Sequence, residues 1–241
     1  MMTRRLSLAA TAALLLWGAD LRAEGLQGKF SLAVQAGTDS EISGDILSGA
    51  SGDLLGTPVT VDAKKYRNVY KPDLRVRVQA GYGVSAKSEV LVRGSYYKAD
   101  ASGIQVGTAG GHPLYAFIDP YKEWGVEAAW HFYLATDRRL KSYFGPVAGA
   151  RFLDSILCTF TIPDAQTEIQ NVPLHGAGTV AVFGLDLGFT FDLSKNVFVG
   201  VETGVRYQTN LPQPAQPPGI PIGQGGDRWS APVTATFGAR F

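Results

Sequence analysis

The chain has 241 residues with 22 basic and 21 acidic side chains, a formal net charge of +1 and a mean hydropathy near zero. That balance excludes the basic footprint of a nucleic-acid binder, and a single cysteine, Cys158, excludes an internal disulfide. The 29 glycines and 11 % aromatic residues suit short strands, tight turns and rings at an interface.

Residues 1–23 read as a secretory signal. Arg4 and Arg5 form a basic start, Leu6 to Gly18 is apolar, and Leu21-Arg22-Ala23 offers a cleavage site ending on a small residue. An N-terminal membrane anchor is the alternative; the apolar run is short for one and Asp20 follows it. Losing Arg4, Arg5, Arg22 and Asp20 leaves 19 basic and 20 acidic side chains, a net charge near −1.

Beyond the signal, apolar and polar residues alternate in eight stretches, the period of a strand with one apolar face. The first spans about Lys29 to Gly37, with Phe30, Leu32, Val34 and Ala36 on the apolar side. The second covers Leu74 to Val84, the third Glu89 to Lys98, and the fourth Tyr121 to Leu134. The fifth, Ser142 to Leu153, carries Pro146, which lacks a ladder donor. Thr179 to Asp192 and Val197 to Gln208 follow. The last runs from Trp229 to the terminal Phe241 without a break.

Connections alternate in length. The turns 86–88, 135–141 and 193–196 are short, whereas 38–73, 99–120, 154–178 and 209–228 are long loops. Short turns on one side and long loops on the other fit an outer-membrane barrel, the short side being periplasmic. An even strand count brings both termini to that side. The main alternative is a soluble barrel or sandwich with its apolar face inward. Aromatic placement argues for the membrane. Tyr70, Tyr96, Trp124, Phe152, Tyr207 and Trp229 mark one end of the strands. Phe30, Tyr82, Phe132, Phe144, Phe189, Phe191 and Phe241 mark the other, with Val, Ala and Leu prevailing between.

On this reading the polar face lines a lumen. It carries Arg75, Arg77, Arg93, Glu127, His131, Arg151, Asp186, Glu202, Arg206 and Arg240, with Lys29, Gln35 and Gln79. Bases and acids together predict a paired interior network, because a buried charge is tolerated only with a partner. Eight strands leave a lumen just wide enough for side chains to fill. A charged plug is therefore the main expectation, and a narrow path for small polar solutes the second.

Enzymatic chemistry finds little support. His131 shares a face with Glu127 four residues away, roughly 13 Å along a strand and too far for direct contact. His112 and His175 fall in separate long loops, neither beside a nucleophile motif. No metal-ligand spacing is present, and Gly107 to Gly111 lacks the strand-to-helix context of a nucleotide loop. Cys158 reads as an unpaired thiol in a loop. In loop 38–73 the basic residues Lys64, Lys65, Arg67 and Lys71 lead into the next strand, where lipopolysaccharide phosphates would lie. The last loop holds Pro212, Pro214, Pro217, Pro218 and Pro221, a composition of stiff extended chain.

The N-terminal signal, eight strands, three short turns, four long loops and the closing Thr236-Phe237-Gly238-Ala239-Arg240-Phe241 together resemble the small outer-membrane β-barrel superfamily. That superfamily includes the OmpA membrane domain, OmpX and OmpW-type proteins. The resemblance spans residues 24–241. It implies an all-β, eight-stranded antiparallel up-and-down transmembrane barrel, integral in the outer membrane of a Gram-negative cell, with both termini periplasmic. It implies contact with outer-membrane lipid and lipopolysaccharide. It also implies recognition by the barrel-assembly machinery, with Phe237 and Phe241 as the assembly signal. No cofactor and no catalytic residue carry over. The expected role is structural or surface-interacting; a porin-like channel and a lipid-modifying enzyme are the alternatives.

Overall fold

The computed structural model describes residues 25–54, 56–71, 73–136, 138–214 and 225–241. The expected signal peptide lies outside them, as do Pro217, Pro218 and Pro221. All eight strands read from the alternation form. They are β1 (Phe30–Ser43), β4 (Leu74–Ser85), β5 (Ser88–Ala99), β8 (Tyr121–Tyr133), β9 (Leu140–Leu153), β12 (Gly178–Asp192), β13 (Val197–Gln208) and β14 (Arg228–Arg240). Consecutive members pair antiparallel, and β14 closes on β1. The result is an up-and-down barrel of eight strands.

The apolar face of every barrel strand points outward. Leu32, Val78, Val92, Val126, Leu185 and Val201 are each more than half exposed. Such a surface around a closed sheet belongs in hydrocarbon, because closure satisfies every backbone group inside the wall. Rings gather at both ends as direct cross-strand partners. Tyr96 meets Trp124 at 4.6 Å and Tyr207 meets Trp229 at 5.0 Å at the long-loop end. Phe30 meets Tyr82 at 4.9 Å and Phe132 meets Phe144 at 5.8 Å at the short-turn end. Pro146 keeps its place in β9 opposite Leu185 of β12, while the ladder to β8 breaks between Ala129↔Val147 and Phe132↔Phe144. The missing donor thus costs one side of the strand only.

Three of the long connections, 38–73, 99–120 and 154–178, contain regular structure that the alternation did not indicate. They form hairpins: β2 (Asp45–Leu54) with β3 (Thr57–Lys65), β6 (Ile104–Ala109) with β7 (His112–Ile118), and β10 (Ile156–Ile162) with β11 (Thr167–His175). Together they make a second sheet of six strands, in the order β11-β10-β7-β6-β3-β2. Its apolar side is buried. Val61, Val106, Ala116, Phe160 and Leu174 join one core with Tyr97, Tyr121, Leu153 and Val180, which face inward at the barrel's long-loop end. Tyr70, expected in the outer ring, lies in this core at 5 % exposure, against Tyr66 and Tyr121. Cys158 is buried there within β10, and that burial pushes its thiol up to about 12. The last loop behaves as its composition predicts over the residues described: 209–214 and 225–227 have no regular structure.

Candidate functional site: the barrel lumen

Inward alternation delivers long charged side chains from every wall to one axis. At mid-height Arg93 of β5 donates to Asp186 Oδ2 of β12 at 2.7 Å and to Glu202 Oε2 of β13 at 2.7 Å. Its Nη2 also lies 3.1 Å from His131 Nε2 of β8. Tyr143 of β9 donates to Glu202 at 2.9 Å and stacks on the His131 ring at 4.2 Å. That ring fits because residue 188 is glycine; a Cβ there would sit 2.3 Å from the Tyr143 ring. Arg206 donates to Asp186 Oδ1 at 2.5 Å, and Arg77 reaches Glu202 Oε1 at 3.2 Å.

A second layer lies nearer the long loops. Arg75 Nη2 donates to Asp39 at 2.7 Å and to Glu123 at 2.6 Å. Arg151 donates to Glu123 at 2.9 Å and to Glu127 at 3.4 Å. Glu127 lies 3.6 Å from Arg206, which ties the two layers into one network. Arg228 pairs with Glu41 at 2.8 Å and lies over the rings of Tyr66 and Tyr121. Nine of the ten residues singled out from the sequence are therefore joined through shared partners, all buried. Arg240 is not among them. It pairs with Asp192 at 2.8 Å near the short-turn rim, where Lys141 also binds Asp192.

Asp39, Glu123 and Arg228 are central members that the sequence reading missed. Each keeps the inward parity of its strand: Glu123 shares a face with Glu127, Asp39 with Gln35, and Arg228 precedes outward Trp229. Ending the first strand at Gly37 and starting the last at Trp229 hid Asp39 and Arg228 in loops; β1 runs on to Ser43.

Both mouths of the lumen are filled. At the short-turn end Leu26 is buried against Tyr133 and Tyr143. The chain can bring Leu26 this close because residue 83 is glycine, whose added Cβ would meet the Leu26 carbonyl oxygen at 1.8 Å. Below the central layer Glu89 accepts from Ser31 and from Tyr133, the latter at 3.0 Å. At the long-loop end the tyrosine-rich core closes over Arg75 and Arg228, with the Arg75 guanidinium 4.6 Å from the Tyr97 ring.

His131, Asp186 and Glu202 bring three ligand atoms within 4.8 Å of one another, a grouping no sequence spacing reveals. Arg93 contacts all three residues and already supplies the positive charge a metal ion would bring. His112 Nδ1 lies 3.2 Å from Asp164 on exposed surface. His175 is buried and its Nε2 meets the Ile46 carbonyl at 3.1 Å. No serine hydroxyl is among the hydrogen-bond partners of either histidine within the described residues. Of the loop cations, Lys64 lies 3.5 Å from Asp62, while Lys65, Arg67 and Lys71 are exposed around the helical turn Tyr66–Val69.

Fold, apolar exterior and charged interior define the class: a closed, eight-stranded, up-and-down antiparallel β-barrel with an apolar outer face and a charged lumen. No protein-family model matches the sequence, and no curated protein matches it. Among solved structures it is similar to Neisserial surface protein A, with 16 % identity, 89 % of this chain and 100 % of that chain covered, and a TM-score of 0.43. It is similar to the outer membrane protein OprG from Pseudomonas aeruginosa, with 13 % identity, 90 % and 98 % covered, and a TM-score of 0.46. The outer membrane protease OmpT from Escherichia coli is 9 % identical, with 92 % and 100 % covered and a TM-score of 0.42. Similarity of this degree assigns no activity to the chain.

Proposed function

We propose that this protein is a non-conducting, non-enzymatic barrel of the outer membrane with a structural or surface-interaction role, its lumen plugged by the charged network. One observation carries the reading: the lumen is spanned by paired buried charges and filled with apolar side chains at both ends. A path for solutes would have to break several ion pairs at once, each costly to open one-sidedly. The six-stranded sheet beyond the barrel is then the part that meets other molecules.

In this reading both ends of the described chain, which meet where Phe30 and Phe241 exchange backbone hydrogen bonds, face the periplasm. Phe237, exposed on the outer face of β14, and Phe241, exposed just past its end, serve as the assembly signal. Lys64, Lys65, Arg67 and Lys71 contact lipopolysaccharide phosphates. Planar-bilayer recording of the refolded chain tests the plug: silence is expected, and reproducible small channels would replace it with the narrow-channel reading. Acyl-chain analysis of lipopolysaccharide with and without the protein tests the enzyme alternative, with no change expected.

A further inference from the structure

The two ends of the barrel carry their exposed charge differently. At the long-loop end bases and acids are interspersed: Lys64 lies 3.5 Å from Asp62, and Lys98 lies 2.8 Å from Asp100. At the short-turn end the exposed charges are basic. Each short turn presents one such side chain to solvent: Lys87 between β4 and β5, Arg138 between β8 and β9, and Lys195 between β12 and β13. Lys29 and Arg139 lie half-buried at the same end. The acids there are engaged internally. Glu89 is buried and accepts from Ser31 and Tyr133, and Asp192 binds Lys141 and Arg240. Among the described residues no side-chain carboxylate is exposed on this rim, and none forms an ion pair with Lys87, Arg138 or Lys195; Glu24 and Asp137 lie outside them.

Hydrogen bonds hold the turns in place. Tyr133 N–H donates to the Lys87 carbonyl at 2.8 Å, and Asp192 N–H to the Arg139 carbonyl at 2.9 Å. Ser194 Oγ accepts from the backbone N–H groups of Asn196 and Val197. Every cation also stands at the edge of the apolar outer face. Val84, Leu134 and Leu193 are exposed two to four positions before Lys87, Arg138 and Lys195, and exposed Leu140 follows Arg139 directly. On a barrel standing in a bilayer, these apolar residues reach the end of the hydrocarbon. The Lys and Arg stems then run along apolar surface with their charged heads at headgroup depth. A layer of anionic headgroups offsets the mutual repulsion of cations gathered on one rim. An anionic polymer in water would match the charge, but it would not account for apolar residues flanking every turn.

We propose that the short-turn rim is a docking surface for anionic glycerophospholipid headgroups of the leaflet in which it stands. Lys87, Arg138 and Lys195 contact the lipid phosphates from three separate turns, so the barrel gathers anionic lipid around its short-turn end. The proposal rests on the membrane reading of the barrel.

The test is electron spin resonance of lipids at the barrel surface. The refolded full chain is placed in phosphatidylcholine vesicles carrying a trace of spin-labelled phosphatidylglycerol or spin-labelled phosphatidylcholine. The immobilised fraction of each label gives its relative association with the protein. Phosphatidylglycerol should be favoured about threefold at low salt, and the preference should shrink at high salt. In the triple variant Lys87→Gln, Arg138→Gln, Lys195→Gln the ratio should fall towards one. The triple variant Lys64→Gln, Lys65→Gln, Arg67→Gln at the other end should keep most of the preference. Equal immobilisation of both lipids by the wild type would overturn the docking surface while leaving the membrane reading intact. A preference unchanged in the short-turn variant would overturn it as well. Immobilisation of neither lipid would remove the membrane reading, and the docking surface with it. Should the triple variant not fold, as judged by heat-modifiable gel mobility, the three single variants take its place. Each should then lose part of the preference, and three unchanged ratios would overturn the assignment. Binding to purified peptidoglycan that disappears in the short-turn variant, with no lipid preference, would hand the rim to an anionic glycan instead.

Discussion

The barrel and the sheet above it invert each other. In the barrel, Leu185 and Val201 face out and Asp186 and Glu202 face in. In the six-stranded sheet, Val61 and Phe160 face in and Thr60 and Asp62 face out. Both are antiparallel and both obey a period of two. The inversion is what two different media would require. Hydrocarbon accepts an apolar exterior and leaves polar groups to pair inside, whereas water drives apolar groups into a core. Alternation therefore announces a strand without announcing which face is the interior.

Four perturbations break or sharpen this contrast, from the largest effect to the smallest. Arg93→Met removes the cation shared by Asp186 and Glu202 and leaves both buried charges short of a partner. It should cost about 3–5 kcal/mol, read as a lower urea midpoint of the folded barrel; an unchanged midpoint would mean the network is not what holds the lumen. In the outer sheet, Phe160→Ala removes a buried ring from an apolar core, at a cost of about 3 kcal/mol. Limited proteolysis should then cut 99–120 and 154–178 faster while the barrel keeps its heat-modifiable gel mobility. Loss of that mobility would show that the two regions fold as one unit.

A third change, Leu185→Arg, puts a charge on the lipid face, where Leu185 is 60 % exposed. It should destabilise the barrel in liposomes by about 2–3 kcal/mol. A soluble barrel would be indifferent to it, so a neutral result would sink the membrane reading. The smallest effect is a pH response confined to the outer sheet. Burial lowers the pKa of His175 below its ordinary value near 6.5. The unfolded segment therefore takes up the proton first as pH falls. The stability His175 contributes is complete above about pH 6.5 and is lost progressively below it, down to the lowered folded value. Hydrogen exchange of β10 and β11 should quicken across that window in the wild type and stay flat in His175→Gln. A matching slope in the variant would assign the response to other groups.

Much of the barrel was legible because its signal is local. A strand whose faces differ this sharply displays its parity residue by residue, and an even strand count brings both ends of the sheet to one side, where β14 meets β1. The nine network residues that meet in the lumen were found through parity alone. Asp39, Glu123 and Arg228 obey the same parity, yet the first and last of them sit beyond the ends that hydropathy suggests. The loop hairpins were illegible for another reason. Val59, Val61, Val106, Leu114 and Phe160 lie in strands of six to nine residues, with turns at Gly56 and at Gly110-Gly111. No single hairpin has enough apolar surface to stand alone.

The sequence by itself determined the barrel: its strand number, its apolar outer belt and the residues sent to the lumen, since period-two alternation and connection length are encoded along the chain. Only the tertiary structure decided which charge meets which, that Leu26 and a cluster of tyrosines fill the two mouths, and that three loops share one core. Those outcomes depend on contacts between residues far apart in sequence, as with Arg93 and Glu202, and such contacts exist only once the wall has closed.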